Sequence, residues 1–223
     1  GMVDAIPTDE LVQYLPLNEQ FGDTAVNKVG DIHVGILGNV FLRANGPDSE
    51  NAFEFPGADV QSGINTNIRP TDGYDRPCSF GIWAYWPGSG VERQKLWNWY
   101  NEDAQYRGDI EINQSESVFK LEWYGESITD STSSANFPID EWVPVVGVFE
   151  TSESSVYVCG DKLLHVSNDT TLDDGGDYHI GTRGGSHEHN WDGRLSDYAF
   201  WNKPLTDYER ETSANLYRSS CLY

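Results

Sequence analysis

Apolar and polar residues alternate with a period of two along much of this chain, in short runs separated by Gly, Pro, Asn and Asp. Phe80-Gly81-Ile82-Trp83-Ala84-Tyr85-Trp86 reads as a strand stopped by Pro87-Gly88-Ser89-Gly90. Val118 to Tyr124 alternates cleanly and sets Phe119, Leu121 and Trp123 on one face. Trp142 to Phe149 is a Val-rich run whose Pro144 cannot donate to a ladder, which places it at a sheet edge or a bulge. Ser155 to Cys159 and Lys162 to Val166 flank Gly160-Asp161, a tight-hairpin signal, because Gly supplies the positive φ that primed turns need. Tyr178 to Gly181 and Arg194 to Trp201 are further strands. Only after Pro204 does a helix begin. Thr206-Asp207-Tyr208-Glu209 is a capping box, and the helix it opens extends to about Tyr217. These elements predict an all-β fold, a two-sheet antiparallel β-sandwich of jelly-roll type with a short C-terminal helix. No linker or internal repeat divides the chain, so residues 1–223 read as one domain.

Composition narrows the function classes. With 8 Trp, 12 Tyr and 9 Phe the chain can bury a real core, which excludes a disordered acidic tail. Lys and Arg number 14 against 36 Asp and Glu, a formal charge of −22. That balance argues against nucleic acid, whose binding depends on neutralised phosphates, and against a polybasic membrane surface. No apolar run is long enough for membrane insertion, and Met2-Val3-Asp4-Ala5-Ile6-Pro7 has no leader-like region. Cys78, Cys159 and Cys221 show no C-x-x-C spacing. All three are expected to be reduced, with Cys78 and Cys159 packed in strands as small hydrophobes.

The order of the segments resembles the concanavalin A-like jelly rolls, most closely their laminin G-like branch, over about residues 11–217. Leu11 to Glu19 is similar to the family's opening strand with its Pro-Leu-Asp-Glu. Asn51-Ala52-Phe53-Glu54-Phe55-Pro56-Gly57 is similar to its Ala-Leu-Glu-Phe-Asp-Gly, with Pro56 for Asp. Ser79 to Tyr85 matches the core strand Phe-Ser-Ile-Trp-Val, and Trp142 to Val148 looks like Trp-His-His-Val-Ala-Val without its His. Val156 to Leu163 follows Leu-Tyr-Val-Asn-Gly with Cys159 for Asn. Asp192 to Thr206 resembles the closing Asn-Gly-Arg-Ile-Asp-Asp-Val signature, with Ser196 for its first Asp. The resemblance implies a structural calcium ion, Ca2+, with Glu19, Asp23 and Asp197 as candidate ligands. It also raises the glucanase mechanism, in which alternation aims paired carboxylates at one groove. Glu111-Ile112-Asn113-Gln114-Ser115-Glu116 imitates the bulged spacing of that signature, but Asn113 replaces the middle Asp. The chain is therefore expected not to be an enzyme.

Two further clusters carry chemistry. Gly184 to Gly193 gathers His187, His189 and Asp192, ligand types for a transition metal, in what otherwise reads as a solvated loop. Lys95 to Arg107 crowds Trp97, Trp99, Tyr100 and Tyr106 beside Asn and Asp. Amphipathic rings next to such groups suit glycan stacking, although Trp97 and Trp99 share one strand face and Tyr100 takes the other, so some of these rings must be core. Trp83, Trp86, Trp123 and Trp142 read as core, and Trp191 as the tryptophan most exposed. The expected function is a non-catalytic carbohydrate-binding or surface-recognition module, its partner a glycan or cell-surface polysaccharide and its site Trp97, Trp99, Tyr100, Tyr106 and Trp191. The alternative is a virion structural protein (fibre, tail or decoration domain) that forms a homo-oligomer, and the third reading is a degenerate glycoside hydrolase. An extracellular or virion-associated setting fits the resemblance.

Overall fold

The computed structural model describes residues 6–47, 50–57, 61–90, 92–100, 107–114, 118–124, 131–167, 176–184 and 188–210. In chain order the strands begin with β1 (Leu11–Leu15), β2 (Thr24–Ala25), β3 (Val34–Gly38), β4 (Phe41–Asn45) and β5 (Asn51–Pro56). β6 (Ser62–Asn65), β7 (Cys78–Tyr85), β8 (Arg93–Tyr100), β9 (Arg107–Asn113), β10 (Val118–Tyr124) and β11 (Ser131–Ala135) follow. The last are β12 (Trp142–Phe149), β13 (Glu153–Val158), β14 (Asp161–Ser167), β15 (His179–Ile180) and β16 (Asp192–Trp201). They form two antiparallel sheets. Sheet one runs β14-β13-β12-β7-β16-β5-β4, with β1 also paired to β16, and sheet two runs β11-β10-β9-β8-β15-β6-β3-β2. The all-β sandwich read from the alternation is the observed fold.

Between the sheets lies an aromatic stack. Trp97 from β8 sits 4.7 Å from Phe149 of β12, 5.1 Å from Phe80 of β7 and 4.9 Å from Tyr178, all with nearly parallel rings. Trp123 of β10 meets Phe149 edge-on at 5.5 Å. Each of these rings is fully buried. The period-two pattern delivers them, since alternate residues of a strand face one side. β8 departs from that pattern through a bulge between Lys95 and Trp97, which lets Leu96 and Trp97 both join the core.

A second, smaller core covers part of the outer face of sheet one. Ile6, Tyr14, Val146, Val148, Tyr157, Ala199, Trp201 and Leu205 pack there, and the Trp201 indole donates to the Pro7 carbonyl at 2.7 Å. Strand β12 is thus buried on both faces at this end, which is why its sequence is a Val run rather than an alternation.

Pro144 corrects the expectation drawn from it. β12 is central, between β13 and β7. Its pairing with β13 begins only at Val145, so the missing Pro144 N–H falls just beyond that ladder, while the Pro144 carbonyl accepts from Cys159 at 3.1 Å. The hairpin falls one residue earlier than its signal: Cys159 (φ 51°) and Gly160 (φ 85°) make the turn, and Asp161 already pairs with Val158. Positive φ at both turn residues matches the strand twist, as a primed turn requires. Cys159 is disulfide-bonded, against the expectation of three reduced thiols. It sits on the turn and is only half-buried, not inside a strand. Cys78 is a free, fully buried thiol whose pKa burial pushes up to about 12; Cys221 lies outside the described residues. The capping box is present as read, with Thr206 N–H on Glu209 Oε1 and Glu209 N–H on Thr206 Oγ1, each at 3.2 Å. The helix beyond Arg210 lies outside the described residues.

The stack sets the first prediction. Trp97→Ala removes the ring that both sheets share and should cost about 3–5 kcal/mol, read from urea unfolding midpoints. Tyr208→Ala, on a ring that is 77% exposed, should leave the midpoint unchanged.

Candidate functional site

The outer face of sheet two carries charge where an outer face would ordinarily meet water. Alternation on β9 sends Ile110 and Ile112 inward and Asp109 and Glu111 outward. The neighbouring strands answer them in register: Glu111 stands between Lys95 of β8 and Lys120 of β10, and Asp109 between Asn98 and Glu122. Lys95, Asp109 and Glu111 are completely buried and Glu122 nearly so. Buried charges persist only when paired, and here they are.

The Lys95 ammonium contacts Glu111 Oε2 and lies 3.2 Å from Asp109 Oδ2. Arg93 closes a fork on Glu111 at 2.9 and 3.0 Å and reaches Glu122 at 3.5 Å. Lys120 lies 3.6 Å from the other Glu122 oxygen. Tyr100 donates its hydroxyl to Asp109 at 3.0 Å. Three carboxylates therefore face three cations. Burial raises the pKa of Glu111, but Lys95 and Arg93 outweigh it and hold the group below the usual carboxylate range. Glu122 moves the other way. Burial and the charges of Glu111 and Asp109 push it up, only partly offset by Lys95 and Arg93.

The rim is as closely tied. Arg183 lies over the Tyr100 ring at 4.9 Å, and Asn98 binds the Thr182 carbonyl and the Gly184 N–H. His189 lends its carbonyl to the Lys95 N–H at 2.8 Å. Burial, then the charges of Lys95, Arg93 and Arg183, lower its pKa, so its ring is neutral at pH 7.

Oxygens of Asp109, Glu111 and Glu122 lie within 4.8 Å of one another, a spacing that could hold a metal ion. The residues present do not fit a resident cation, because the Lys95 ammonium already stands against two of the three carboxylates and repels one.

The residues singled out in the sequence fall elsewhere. Trp97, Trp99 and Trp191 are buried to within 1% exposure, which corrects their assignment as glycan rings. Trp97 is the centre of the core stack, and Trp99 donates its indole N–H to the Gly176 carbonyl at 3.0 Å. Trp191 turns inward against Phe137 at the end of the sandwich, and its backbone N–H donates to the Gly181 carbonyl just before β16 begins. Tyr100 is buried beneath Arg183, so its ring is covered. Tyr106, Glu116 and His187 lie outside the described residues.

Glu19, Asp23 and Asp197 do not gather into a carboxylate cluster among the described residues. Glu19 accepts from Val26 N–H at 2.8 Å, and Asp23 from the Thr24 hydroxyl. Asp197 sits at φ 51° in a bulge of β16 and takes hydroxyls from Tyr14 at 2.7 Å and Ser196 at 3.0 Å. Two protein hydroxyls thus serve Asp197, while Glu19 Oε2 is buried with no hydrogen-bond partner among the described residues. Asp192 of the His-rich loop binds the Ser89 hydroxyl at 2.8 Å. The ion network is not legible as a unit in the sequence, although Asp109-Ile110-Glu111-Ile112-Asn113 does alternate; its partners on β8 and β10 are visible only once the strands are aligned.

A family model for the concanavalin A-like lectin/glucanases superfamily matches residues 59–209. No curated protein sequence matches the chain. Among solved structures, the fold is similar to domain 4 of AbnA, a GH43 extracellular arabinanase from Geobacillus stearothermophilus, in complex with arabinotriose. That similarity has a TM-score of 0.69 at 14% identity, over 93% of this chain and 98% of that one. A Trypanosoma rangeli sialidase mutant displaying trans-sialidase activity matches at TM-score 0.69 and 15% identity, over 94% of this chain and 33% of the sialidase. The botulinum neurotoxin serotype D binding domain matches at 0.66 and 12%, over 93% of this chain and 52% of that one.

The opposed pKa directions give a paired prediction. Glu111→Gln leaves Lys95 and Arg93 without their main partner and should cost about 3–5 kcal/mol at pH 7. Glu122→Gln should be neutral or stabilising at the same pH. The Glu111 contribution is complete above the unfolded glutamate pKa of about 4.3 and is lost as pH falls through its lower folded value. The Glu122 contribution has the opposite sign, present below the unfolded pKa and lost as pH rises through the folded one. Urea midpoints of both variants against pH check the signs.

Proposed function

The chain belongs to the concanavalin A-like lectin/glucanases superfamily, and from that premise we propose that it is a non-catalytic carbohydrate-binding module. The observation that carries this reading is the state of Glu111. Glycoside hydrolysis needs one carboxylate free to attack and another able to deliver a proton to the sugar. Glu111 is fully buried, forked by Arg93 and capped by Lys95. Its lowered pKa suits a fixed counter-ion and not a proton donor. Asp109 on the same strand is held by Lys95 and Tyr100. The network serves as a rigid internal brace, and recognition takes place on other surfaces of the sandwich.

One of the fold neighbours supports carbohydrate as the ligand class: the arabinanase domain was solved in complex with arabinotriose. On this reading the acidic cluster itself takes no calcium, because Lys95 holds the place a cation would take there.

A glycan array probed with calcium and again with chelator tests the proposal, alongside assays for new reducing ends on every bound polysaccharide. Saturable binding that chelator leaves unchanged, with no release of reducing ends, is the expected result. Hydrolysis that disappears in Glu111→Gln would overturn the non-catalytic reading, and a blank array from folded protein would overturn carbohydrate binding.

A further inference from the structure

The second core covers only one end of the outer face of sheet one. At the other end a single row crosses five strands. Trp142 of β12 pairs with Tyr85 of β7, Tyr85 with Arg194 of β16, Arg194 with Glu54 of β5, and Glu54 with Phe41 of β4. Alternation puts all five side chains outward, since the neighbours Val143, Ala84, Leu195, Phe53 and Phe55 lie in the core and Val40 and Leu42, which flank Phe41, pack against it. At about 4.8 Å per strand, the row runs about 19 Å from Trp142 to Phe41.

None of the five is buried. Phe41 is 60% exposed, and the side chains of Glu54 and Arg194 are 43% and 28% exposed. The tryptophans make the contrast plain. Seven of the eight are buried, and Trp142 alone is only half-buried.

The row is ordered by its own contacts. Trp142 meets Tyr85 at 5.7 Å with the rings tilted 49°, and it leans edge-on against buried Trp83 at 6.5 Å. The Arg194 guanidinium lies over Tyr85 at 5.1 Å, donates to the Asn45 carbonyl at 3.2 Å and reaches Glu54 at 3.7 Å. Tyr85 donates its hydroxyl to Asp140 at 3.2 Å. Aromatic faces therefore stand at both ends, with fixed hydrogen-bonding groups between and beside them. Phe41 is exposed and Trp142 and Tyr85 are only half-buried, so folding leaves the apolar surface of this row incompletely used.

Ring faces suit the C–H faces of sugars, and Arg, Glu, Asp and Tyr hydroxyl groups suit their hydroxyl rims. Charge selects among sugars. Arg194 is matched by Glu54, Asp140 lies beside Tyr85, and the whole chain carries −22, so an anionic glycan is repelled. We propose that Trp142, Tyr85, Arg194, Glu54 and Phe41 form a binding platform for a linear, neutral oligosaccharide lying across the strands of sheet one. This inference rests on the carbohydrate-binding reading above and gives it a site and a sugar class.

The test uses the full chain and the fluorescence of its tryptophans. Acrylamide should quench one accessible component, which Trp142→Phe removes. Arabinotriose, cellohexaose, xylohexaose and mannohexaose are the neutral probes, with sialyllactose and an oligogalacturonate as anionic ones. At least one neutral probe should protect the quenchable component and bind saturably, and the anionic probes should not. Trp142→Ala and, independently, Phe41→Ala on the exposed end should each weaken that binding about tenfold, with unfolding midpoints confirming intact folds. Tyr208→Ala, over the separate cleft formed with Tyr157, Lys162 and Arg210, should bind as the parent does. Parent-like binding by both Trp142→Ala and Phe41→Ala, or loss of binding in Tyr208→Ala, would overturn the platform and leave carbohydrate binding standing. Preference for the anionic probes would overturn the neutral class. Failure of the parent chain to bind any probe here and any saccharide on the array would remove both readings together.

Discussion

Trp97 is the contact on which the two sheets depend. Its ring lies within 5.1 Å of Phe80, Phe149 and Tyr178, so one side chain from sheet two is stacked among groups that fix the middle of sheet one and the start of β15. The bulge at Lys95 is part of the same arrangement. By admitting Leu96 and Trp97 together to the core, it sets Lys95 on the outer face in line with Glu111. Core packing and the position of the buried charges are thus consequences of one backbone irregularity.

The two outer faces then solve different problems. That of sheet two is closed and charged across β8, β9 and β10, where its carboxylates persist in a dry setting only because Arg93, Lys95 and Lys120 match them in number. That of sheet one is divided. Beneath Ile6, Trp201 and Leu205 it is a second core, while toward Trp142 it is open. The same strands β7, β12 and β16 serve both halves. A rigid backbone buried on both faces at one end holds the exposed side chains at the other in fixed register, which suits a surface whose task is recognition.

Most of the fold was legible in the sequence. The alternation in Val118–Tyr124, the Gly160 turn and the capping box at Thr206 each act over a few residues, so each could be read without knowing the partner strand. The candidate site was far less legible. Trp191, in a polar neighbourhood, is buried, and Trp142, at the head of an apolar run, is only half-buried. Local polarity misleads here because burial depends on what lies across the sheet. For Trp191 that is Phe137, whereas the covering residues of the second core do not reach Trp142. Pro144 shows the same limit, since whether its missing N–H matters depends on where β13 stops.

By itself, then, the sequence determined that this chain would form short antiparallel strands with an aromatic interior and a capped C-terminal helix. Those outcomes follow from side-chain period, turn geometry and end-capping, which are local properties of the backbone. The tertiary structure alone decided which carboxylates meet which cations and which aromatic rings stay outside. Strand order did this by placing β7 between β12 and β16, and β9 between β8 and β10. Cross-strand neighbours lie about 5 Å apart however far apart they stand in the chain, so Trp142, Tyr85, Arg194, Glu54 and Phe41 become one surface only after the sheet has formed.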